Sequence, residues 1–400
     1  MKARLADLLV CPLDKTALEL VVWETRDTPL SEADHARAKH HGIAPDKLSR
    51  EIVTGLLLNK KRQIAYPIYQ SIPRMLVFET GVARDFVAKH GKQLARELPG
   101  YSMPHEQANP GEKDTLRTFS SEWVNYDWDG QSYWNLTPER WYECMRFMLD
   151  FEHKPVTQKL VLEVGIGIGG VADHHARSEG CELVGIDLGY AVDSAQNHFG
   201  QNPFLHIVQA SALAPPFRDS TFDLVYSFGV IMCSYSTKAT FDCLANLPKP
   251  GGRLNIWVYS PHNEQRSLLR RSLMRVENIV RPMVWRLPER LQSVALSPFI
   301  PLYIGYARFR KLRGGEGYIR YGWREAMHAA RDRFTPRYLH RHSDGELSSW
   351  FRDAGYDSLE VASERQRPSW VPIGFTANAG VEGMRTAVAR PQSASKSSAA

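Results

Sequence analysis

The stretch Lys159-Leu-Val-Leu-Glu163-Val-Gly165-Ile-Gly167-Ile-Gly169-Gly170 decides the fold of this chain. The apolar run from Leu160 to Val164 has the length of a buried strand, and it ends in alternating glycines ahead of a helix-compatible segment. Glycine allows tight turns and leaves space above the backbone, so a ligand can reach the free N–H groups at the start of the next helix. The pattern therefore predicts a strand–loop–helix ligand site, although the glycines alone leave the ligand open.

The chain around this loop alternates strands and helices from residue 156 to residue 261, which is typical of a parallel sheet with crossover helices. The second strand, Glu182 to Asp187, ends in a carboxylate about twenty residues after the loop, where it can accept both hydroxyls of a ribose. A nicotinamide dinucleotide and S-adenosylmethionine both satisfy the loop and the acid.

Three further features of the sequence distinguish between these two candidate ligands. Glu163 precedes the glycines, Pro216-Phe217 leads into Ser220-Thr-Phe-Asp-Leu-Val225, and Leu247-Pro-Lys-Pro-Gly-Gly252 forms a turn before the fifth strand. With this set, the block resembles a class I S-adenosylmethionine-dependent methyltransferase of the group that includes the ubiquinone and menaquinone methylases. The resemblance implies an α/β fold with a Rossmann-like, doubly wound, mostly parallel seven-stranded sheet, and it disfavours the nicotinamide alternative.

The same resemblance implies S-adenosylmethionine as the cofactor and assigns its contacts to Glu163, Gly165, Gly167, Gly169, Asp187, Leu188, Ser211, Ala212, Ser227 and Phe228. The loop glycines and Glu163 would hold the methionine part, with Ser227 and Phe228 nearby. Asp187 would bind the ribose.

The adenine end departs from the family pattern. Leu188 would press on the ring, and Ser211 and Ala212 would lie at its edge, but relatives usually carry Asp where Ser211 stands. A neutral hydroxyl is a weaker acceptor than a carboxylate. We therefore expect adenine binding to depend more on the backbone here.

Residues 1–78 resemble the small zinc-ribbon-like domain that activates certain tRNA and release-factor methyltransferases. The resemblance rests on the turn at Cys11-Pro12 and on Tyr66-Pro-Ile68 followed by Ile72-Pro-Arg-Met-Leu76. A tetrahedral zinc site of this kind needs four thiolates, whereas the four positions here are Cys11, Asp14, Asn59 and Arg62. We predict a small α+β domain that binds no metal and packs or recruits.

At 400 residues the chain is longer than one hydrophobic core usually supports, so we expect more than one domain. The remaining segments differ from one another in composition. Residues 79–155 form a helical, aromatic linker and cap, 156–261 the cofactor-binding core, and 262–335 a helical insertion. Residues 336–376 resemble the family's closing helix and strands, and 377–400 are small and polar, as in a disordered tail.

The insertion carries 15 Arg and Lys residues against six acids, so it accounts for the chain's net charge of +6. We predict an amphipathic substrate lid that meets an anionic or lipid-linked acceptor at a membrane surface; a solvated basic face is the alternative. Nucleic acid is disfavoured as a partner, because no recognised nucleic-acid motif accompanies the charge. With no run of 18 apolar residues, we expect a cytoplasmic or membrane-peripheral protein.

Methyl transfer depends on positioning, and a hydroxyl or acidic carbon acceptor also needs a base. Candidates near the expected pocket are His340, His342, Tyr235 and Tyr259, and none is assigned as catalytic. The main hypothesis is a methyltransferase acting on a small-molecule, glycan or lipid-linked acceptor. The alternatives are an RNA or protein methyltransferase that uses the basic insertion, and a non-catalytic scaffold.

Overall fold

The computed structural model describes residues 1–124, 137–261, 268–314 and 322–386. Near the N-terminus, a four-stranded antiparallel sheet in the order β1-β2-β3-β4 packs with three short helices. The strands are β1 (Glu19–Asp27), β2 (Arg50–Asn59), β3 (Ile64–Tyr69) and β4 (Ile72–Pro73), and the helices are α1 (Ala3–Ala6), α2 (Glu32–His40) and α3 (Asp46–Ser49). This is the small α+β unit that the sequence predicts.

The positions that correspond to a zinc site contact one another through hydrogen bonds. Asn59 Nδ2 donates to Asp14 Oδ1 at 3.1 Å, and the Arg62 backbone N–H donates to Asn59 Oδ1 at 3.0 Å. Arg62 Nε also lies 3.5 Å from Asp14 Oδ2. Cys11 Sγ lies 3.4 Å from the hydroxyl of Tyr66 on β3. Polar side chains therefore join the turn after Cys11 to the turn between β2 and β3.

A seven-stranded sheet in the order β10-β11-β9-β8-β5-β6-β7 forms the centre of the molecule. Strands β5 to β9 run parallel, while β11 is antiparallel to both β9 and β10. The strands are β5 (Leu160–Val164), β6 (Glu182–Asp187), β7 (Leu205–Gln209), β8 (Phe222–Phe228), β9 (Pro248–Val258), β10 (Tyr356–Val361) and β11 (Ala379–Arg385). The predicted Rossmann-like, mostly parallel seven-stranded sheet is confirmed.

Helices cover both faces of this sheet, which explains why its central strands are almost continuously apolar. The described helices of the core are α7 (Gly170–Ser178), α8 (Ala191–Phe199), α9 (Thr237–Leu244), α14 (Asp344–Asp353) and α15 (Ile373–Ala377). Strand order reverses at β5, which pairs with β6 on one side and β8 on the other. Because ligands bind beyond the carboxyl ends of the strands at such a switch point, the loop after β5 stands at the predicted binding position.

The prediction of a disordered tail over 377–400 is wrong for its first part, because Ala379–Arg385 form β11 between β9 and β10. The small residues that suggested disorder are needed for close packing. A Cβ added to Gly383 would lie 2.7 Å from the side chain of Leu359 and 2.8 Å from the ring of Phe351. Residues 387–400 lie outside the described part of the chain.

The N-terminal unit covers β7, which is an edge strand of the large sheet. The Met75 backbone N–H donates to the Gln209 carbonyl at 2.8 Å, so the chain after β4 runs alongside β7. Arg74 Nη1 donates to Asp193 Oδ2 at 3.2 Å and to Gln209 Oε1 at 3.1 Å. An exposed edge strand invites pairing with other chains, and this contact removes that edge from solvent.

The described parts of the linker and of the insertion each contain several helices. The linker contains α4 (Gly81–Glu97), α5 (Glu112–Val124) and α6 (Pro138–Met148), and the insertion contains α10 (Leu268–Val284), α11 (Glu289–Leu296), α12 (Ile300–Gly314) and α13 (Trp323–Phe334). The insertion has its own apolar core, in which Val284, Leu296 and Ile300 are buried against Ala326 and Ala330. In the described ranges, no helix is long and apolar enough to cross a bilayer.

We expect Asp14→Asn to lower the melting temperature at neutral pH. Burial raises the pKa of Asp14, but hydrogen bonds from Thr16, Cys11 and Asn59 outweigh it and hold the pKa at about 2, below the ordinary 3.8. A depressed pKa stabilises the fold above the unfolded-state value, and this contribution is lost as the pH falls through the folded-state value.

The difference in melting temperature between wild type and variant should therefore shrink as the pH falls from about 4 towards about 2. Calorimetric melts across that range measure it, with Asp27→Asn as the control because the Asp27 side chain is 88% exposed. A difference that does not change with pH would contradict the assignment.

Candidate functional site

A cavity of about 410 Å³ lies beyond the carboxyl ends of the parallel strands. Its floor is the loop between β5 and α7, and its walls come from the ends of β6, β7, β8 and β9, from α5 and α6 of the linker, from α13 and from α15. The cavity therefore joins the predicted cofactor loop to segments that lie far from it in the chain.

The three loop glycines have positive φ angles and different tasks. A Cβ added to Gly165 would lie 2.2 Å from the side chain of Val230, so this glycine allows close packing. At Gly167, with a φ of 53°, nothing lies within 4 Å of an added Cβ, which leaves an open cradle in the cavity wall. Gly169 faces Ala195, at 2.9 Å from an added Cβ, and does not line the cavity. Gly169 packs α7 against α8, and its contact with the cofactor stays a prediction.

Asp187 connects the loop after β5 to the loop after β6. Its Oδ2 accepts from the Gly167 N–H at 3.0 Å and its Oδ1 from the Gly189 N–H at 2.8 Å. Burial raises the pKa of this carboxyl, although the two hydrogen bonds oppose the shift. Each carboxylate oxygen keeps acceptor capacity, and Asp187 lines the cavity. The carboxylate is therefore held ready for the hydroxyls of a ribose.

Glu163 is a buried acid in the cavity wall below the loop. Tyr226 donates its hydroxyl proton to Glu163 Oε2 at 2.8 Å, and His175 Nδ1 lies 3.3 Å from the same hydroxyl. Burial raises the pKa of Glu163 to about 8 and lowers the pKa of His175 to about 3. A cationic group arriving in the cavity would favour the ionised carboxylate, so Glu163 fits a site for an ammonium group.

The other predicted cofactor residues divide between cavity and core. Leu188, Ser211, Ala212 and Phe228 line the cavity. Ser227 does not, because its hydroxyl donates to the Val164 carbonyl at 3.3 Å across the sheet. The structure thus makes Ser227 a contact between strands outside the cavity lining, and its contact with the cofactor stays a prediction.

The four candidates for proton transfer also separate. Tyr235 and Tyr259 line the cavity, whereas His340 and His342 do not. His340 Nε2 lies 3.1 Å from the Ser234 carbonyl, and the His342 ring packs 4.8 Å from that of Trp350. Both histidines are therefore packing residues, which was the alternative considered for them.

Asp332 is a cavity residue that the sequence analysis missed. It lies on α13, and the Tyr259 hydroxyl donates to its Oδ2 at 2.8 Å. Burial raises the pKa of Asp332, against the effect of this hydrogen bond. No sequence signal distinguishes Asp332, since it is one of six acids in a basic insertion whose helix packing is not readable from local pattern.

An aromatic wall lines the part of the cavity opposite Asp187. Trp257 stacks on Phe228 with 6.0 Å between ring centroids, and its Nε1 donates to the Phe375 carbonyl at 2.8 Å. Trp141 meets Phe375 edge-on at 5.3 Å. Flat apolar surfaces of this kind bind apolar ligands and exclude water. Among the residues that the structure describes, no group of three or more His, Cys, Asp and Glu side chains could hold a metal ion.

Comparisons with known proteins agree with the site. Residues 162–256 match the family model described as a methyltransferase domain. The chain is 30% identical over 114 residues to sterol 24-C-methyltransferase of Schizosaccharomyces pombe, covering 25% of this chain and 28% of that protein. It is 34% identical over 101 residues to phosphoethanolamine N-methyltransferase of Triticum aestivum, covering 25% and 20%.

The chain thus spans less than a third of the length of these two relatives. Among solved structures, the CcbJ methyltransferase of Streptomyces caelestis aligns with a TM-score of 0.42 at 14% identity, covering 68% of this chain and 98% of that one. Over residues 162–256 the chain thus resembles a methyltransferase domain, and the cofactor that the sequence analysis implies for such a domain is S-adenosylmethionine. The open cradle at Gly167, the Asp187 carboxylate and the buried Glu163 fit that cofactor.

We expect Asp187→Asn to weaken binding of S-adenosylhomocysteine by roughly 10–100-fold, because it removes a charged acceptor and disturbs the Gly167 contact. Isothermal titration calorimetry measures this. The matched control is Asp223→Asn, whose carboxylate accepts from the Leu160 N–H at 2.9 Å away from the cavity lining. Equal affinities in wild type and Asp187→Asn would contradict the assignment of Asp187.

Proposed function

We propose that this chain transfers the methyl group of S-adenosylmethionine to a small apolar or lipid-linked acceptor. The observation that carries the proposal is the single cavity that joins Gly167 and Asp187 at one end to the aromatic wall around Trp257 at the other. A cofactor bound at the first end and an acceptor bound at the second would share one cavity from which water is largely excluded.

The residues of the chain contribute mainly by positioning. Bound S-adenosylmethionine supplies a methyl group on a sulfonium sulfur, which is already a good leaving group. Asp187 would hold the ribose and Glu163 the ammonium group. The open cradle at Gly167 would receive the methionine part of the cofactor, which lies close to the backbone. The aromatic wall orients the acceptor in line with the methyl group and excludes water, and such orientation supplies much of the acceleration.

Asp332 is the residue that we assign to proton removal when the acceptor carries a hydroxyl or an amine. Its carboxylate lines the cavity, and the hydrogen bond from Tyr259 fixes one of its oxygens. A carboxyl with a raised pKa is a better base than an ordinary one near neutral pH. Tyr259, a candidate from the sequence, would then be a positioning residue that acts through Asp332.

The insertion is suited to collect the acceptor from a membrane surface. Apolar side chains that are more than half exposed occur on each of its first three helices, among them Ile279 at 68%, Met283 at 67% and Leu302 at 71%. Exposed arginines such as Arg275 and Arg286 accompany them. Apolar side chains combined with basic ones favour an anionic bilayer. The protein would act from the cytoplasm as a peripheral membrane enzyme.

We further assign residues 1–78 to a metal-free relative of the methyltransferase activator domain. The meeting of Cys11, Asp14, Asn59 and Arg62 at one place supports this assignment. Its role here would be to stabilise the cavity wall. Arg74 holds Gln209, whose Nε2 donates to the carbonyl of cavity residue Leu188 at 3.2 Å.

The methyltransferase proposal is tested with methyl-labelled S-adenosylmethionine and a panel of sterols and isoprenoid quinols. We expect label in one of these acceptors, and we expect Asp332→Asn to lower kcat by about 100-fold or more while S-adenosylhomocysteine affinity stays within about twofold. The control is Asp242→Asn on α9, an exposed partner of Lys238. Undiminished turnover in Asp332→Asn would reject the role of Asp332, and no label in any acceptor would reject this acceptor class.

The membrane proposal is tested by sedimentation with phosphatidylcholine vesicles with and without phosphatidylserine. We expect binding to the anionic vesicles that weakens with salt, and a loss of about tenfold or more in the double variant Ile279→Asp, Met283→Asp. Val87→Asp is the control, because Val87 is 41% exposed on α4, outside the insertion. Equal binding by both variants would contradict the assigned surface.

A further inference from the structure

We propose that Glu112, at the start of α5, is the carboxylate that recognises the amino group of the cofactor's adenine, in the place where the core itself offers Ser211. The inference rests on the proposed function, since it concerns the same cofactor. It assigns adenine specificity to the linker rather than to the sheet, and the sequence analysis did not identify Glu112.

The position of the base follows from the order of the strands. Asp187 ends β6 and marks the ribose, and the next strand outward is β7. The segment after β7, from Ala210 to Leu213, lines the cavity together with Leu188. A base attached to a ribose at Asp187 therefore lies between Leu188 and this segment, with Ser211 at its edge.

The Ser211 hydroxyl already makes two hydrogen bonds within the protein. Its hydroxyl donates to Glu112 Oε1, and its oxygen accepts from the Leu213 N–H at 3.1 Å. The hydroxyl proton therefore points at Glu112, and only one lone pair of the oxygen is left. The stronger acceptor at this edge is the carboxylate to which Ser211 points.

Glu112 is held in one orientation in the cavity wall. It is 5% exposed, and its Oε2 accepts from the Asn109 N–H at 2.9 Å and from Asn109 Nδ2 at 3.1 Å. Its Oε1 accepts from Ser211 and keeps a second lone pair. A buried carboxylate needs several donors, and an exocyclic amine is a donor that would complete the set.

Other residues of α5 support the placement of this helix over the adenine base. Thr115 and Phe119 follow Glu112 at intervals of three and four residues, so they share a helix face with it, and all three line the cavity. Ser120 on the same helix accepts from the Tyr190 N–H at 2.9 Å, which fastens α5 to the loop after β6. The helix thus covers the adenine end of the cavity and brings Glu112 to its edge.

The alternative is that Glu112 only caps the start of α5 through Asn109. That role predicts a loss of stability in variants but no change in the choice between purines. The two roles separate in calorimetric titrations of S-adenosylhomocysteine and S-inosylhomocysteine, which has a carbonyl oxygen in place of the amino group. Wild type should prefer the adenine compound, because a carbonyl facing a carboxylate leaves two acceptors without a donor.

We expect Glu112→Gln to reduce this preference by about tenfold or more, since an amide can donate to the carbonyl and has lost the charge. Ser211→Ala should keep the preference, because the carboxylate remains; this variant tests the proposal even if Glu112→Gln folds poorly. Asp114→Asn is the matched control, as Asp114 lies on α5, pairs with Arg337 and is outside the cavity lining.

The outcomes are distinct. A preference that persists in Glu112→Gln, or that disappears in Ser211→Ala while S-adenosylhomocysteine still binds, overturns the role of Glu112 and leaves the proposed function standing. Wild-type protein that binds neither compound overturns the proposed function and the inference together. Melting temperatures of every variant identify a purely capping effect, which lowers stability and leaves the preference unchanged.

Discussion

The carboxylate of Asp187 is the contact on which the site depends. By accepting from the N–H groups of Gly167 and Gly189, it ties the loop after β5 to the loop after β6 and fixes the floor of the cavity. The geometry requires glycine, because Gly165 lies against Val230 and Gly167 must leave the cradle open. Two backbone donors thus hold the carboxylate in one orientation, which in the proposed function preorganises it for the ribose.

Around this floor, the remaining walls come from segments outside the central strands. The linker contributes Glu112 at the adenine end, α13 contributes Asp332, and α15 contributes Phe375 at the aromatic wall. In the proposed function, the parallel sheet provides a general cofactor position, while added helices determine which base and which acceptor fit. This division follows the usual arrangement in which a rigid scaffold carries variable binding segments.

The two added units act on opposite sides of the same cavity. The N-terminal unit covers the β7 edge and holds Gln209 through Arg74, on the side where the proposed function places the adenine. The insertion buries Glu277 among Arg281, Arg333 and Arg341, and this ionic cluster fastens α10 and α13 next to Asp332. Loosening the first unit would act on cofactor binding, whereas loosening the second would act on the acceptor side.

The sequence by itself determined the sheet, the glycine loop and Asp187, because strand periodicity and turn residues act over short distances along the chain. It also indicated the helical insertion. Only the tertiary structure decided that Gly169 and Ser227 serve packing, that Ala379–Arg385 form a strand, and that Glu112 and Asp332 meet the cavity. The physical reason is that these outcomes depend on contacts between segments that are distant in the chain, such as Tyr259 with Asp332, 73 residues apart, and Glu112 with Ser211, 99 residues apart, which no local pattern encodes.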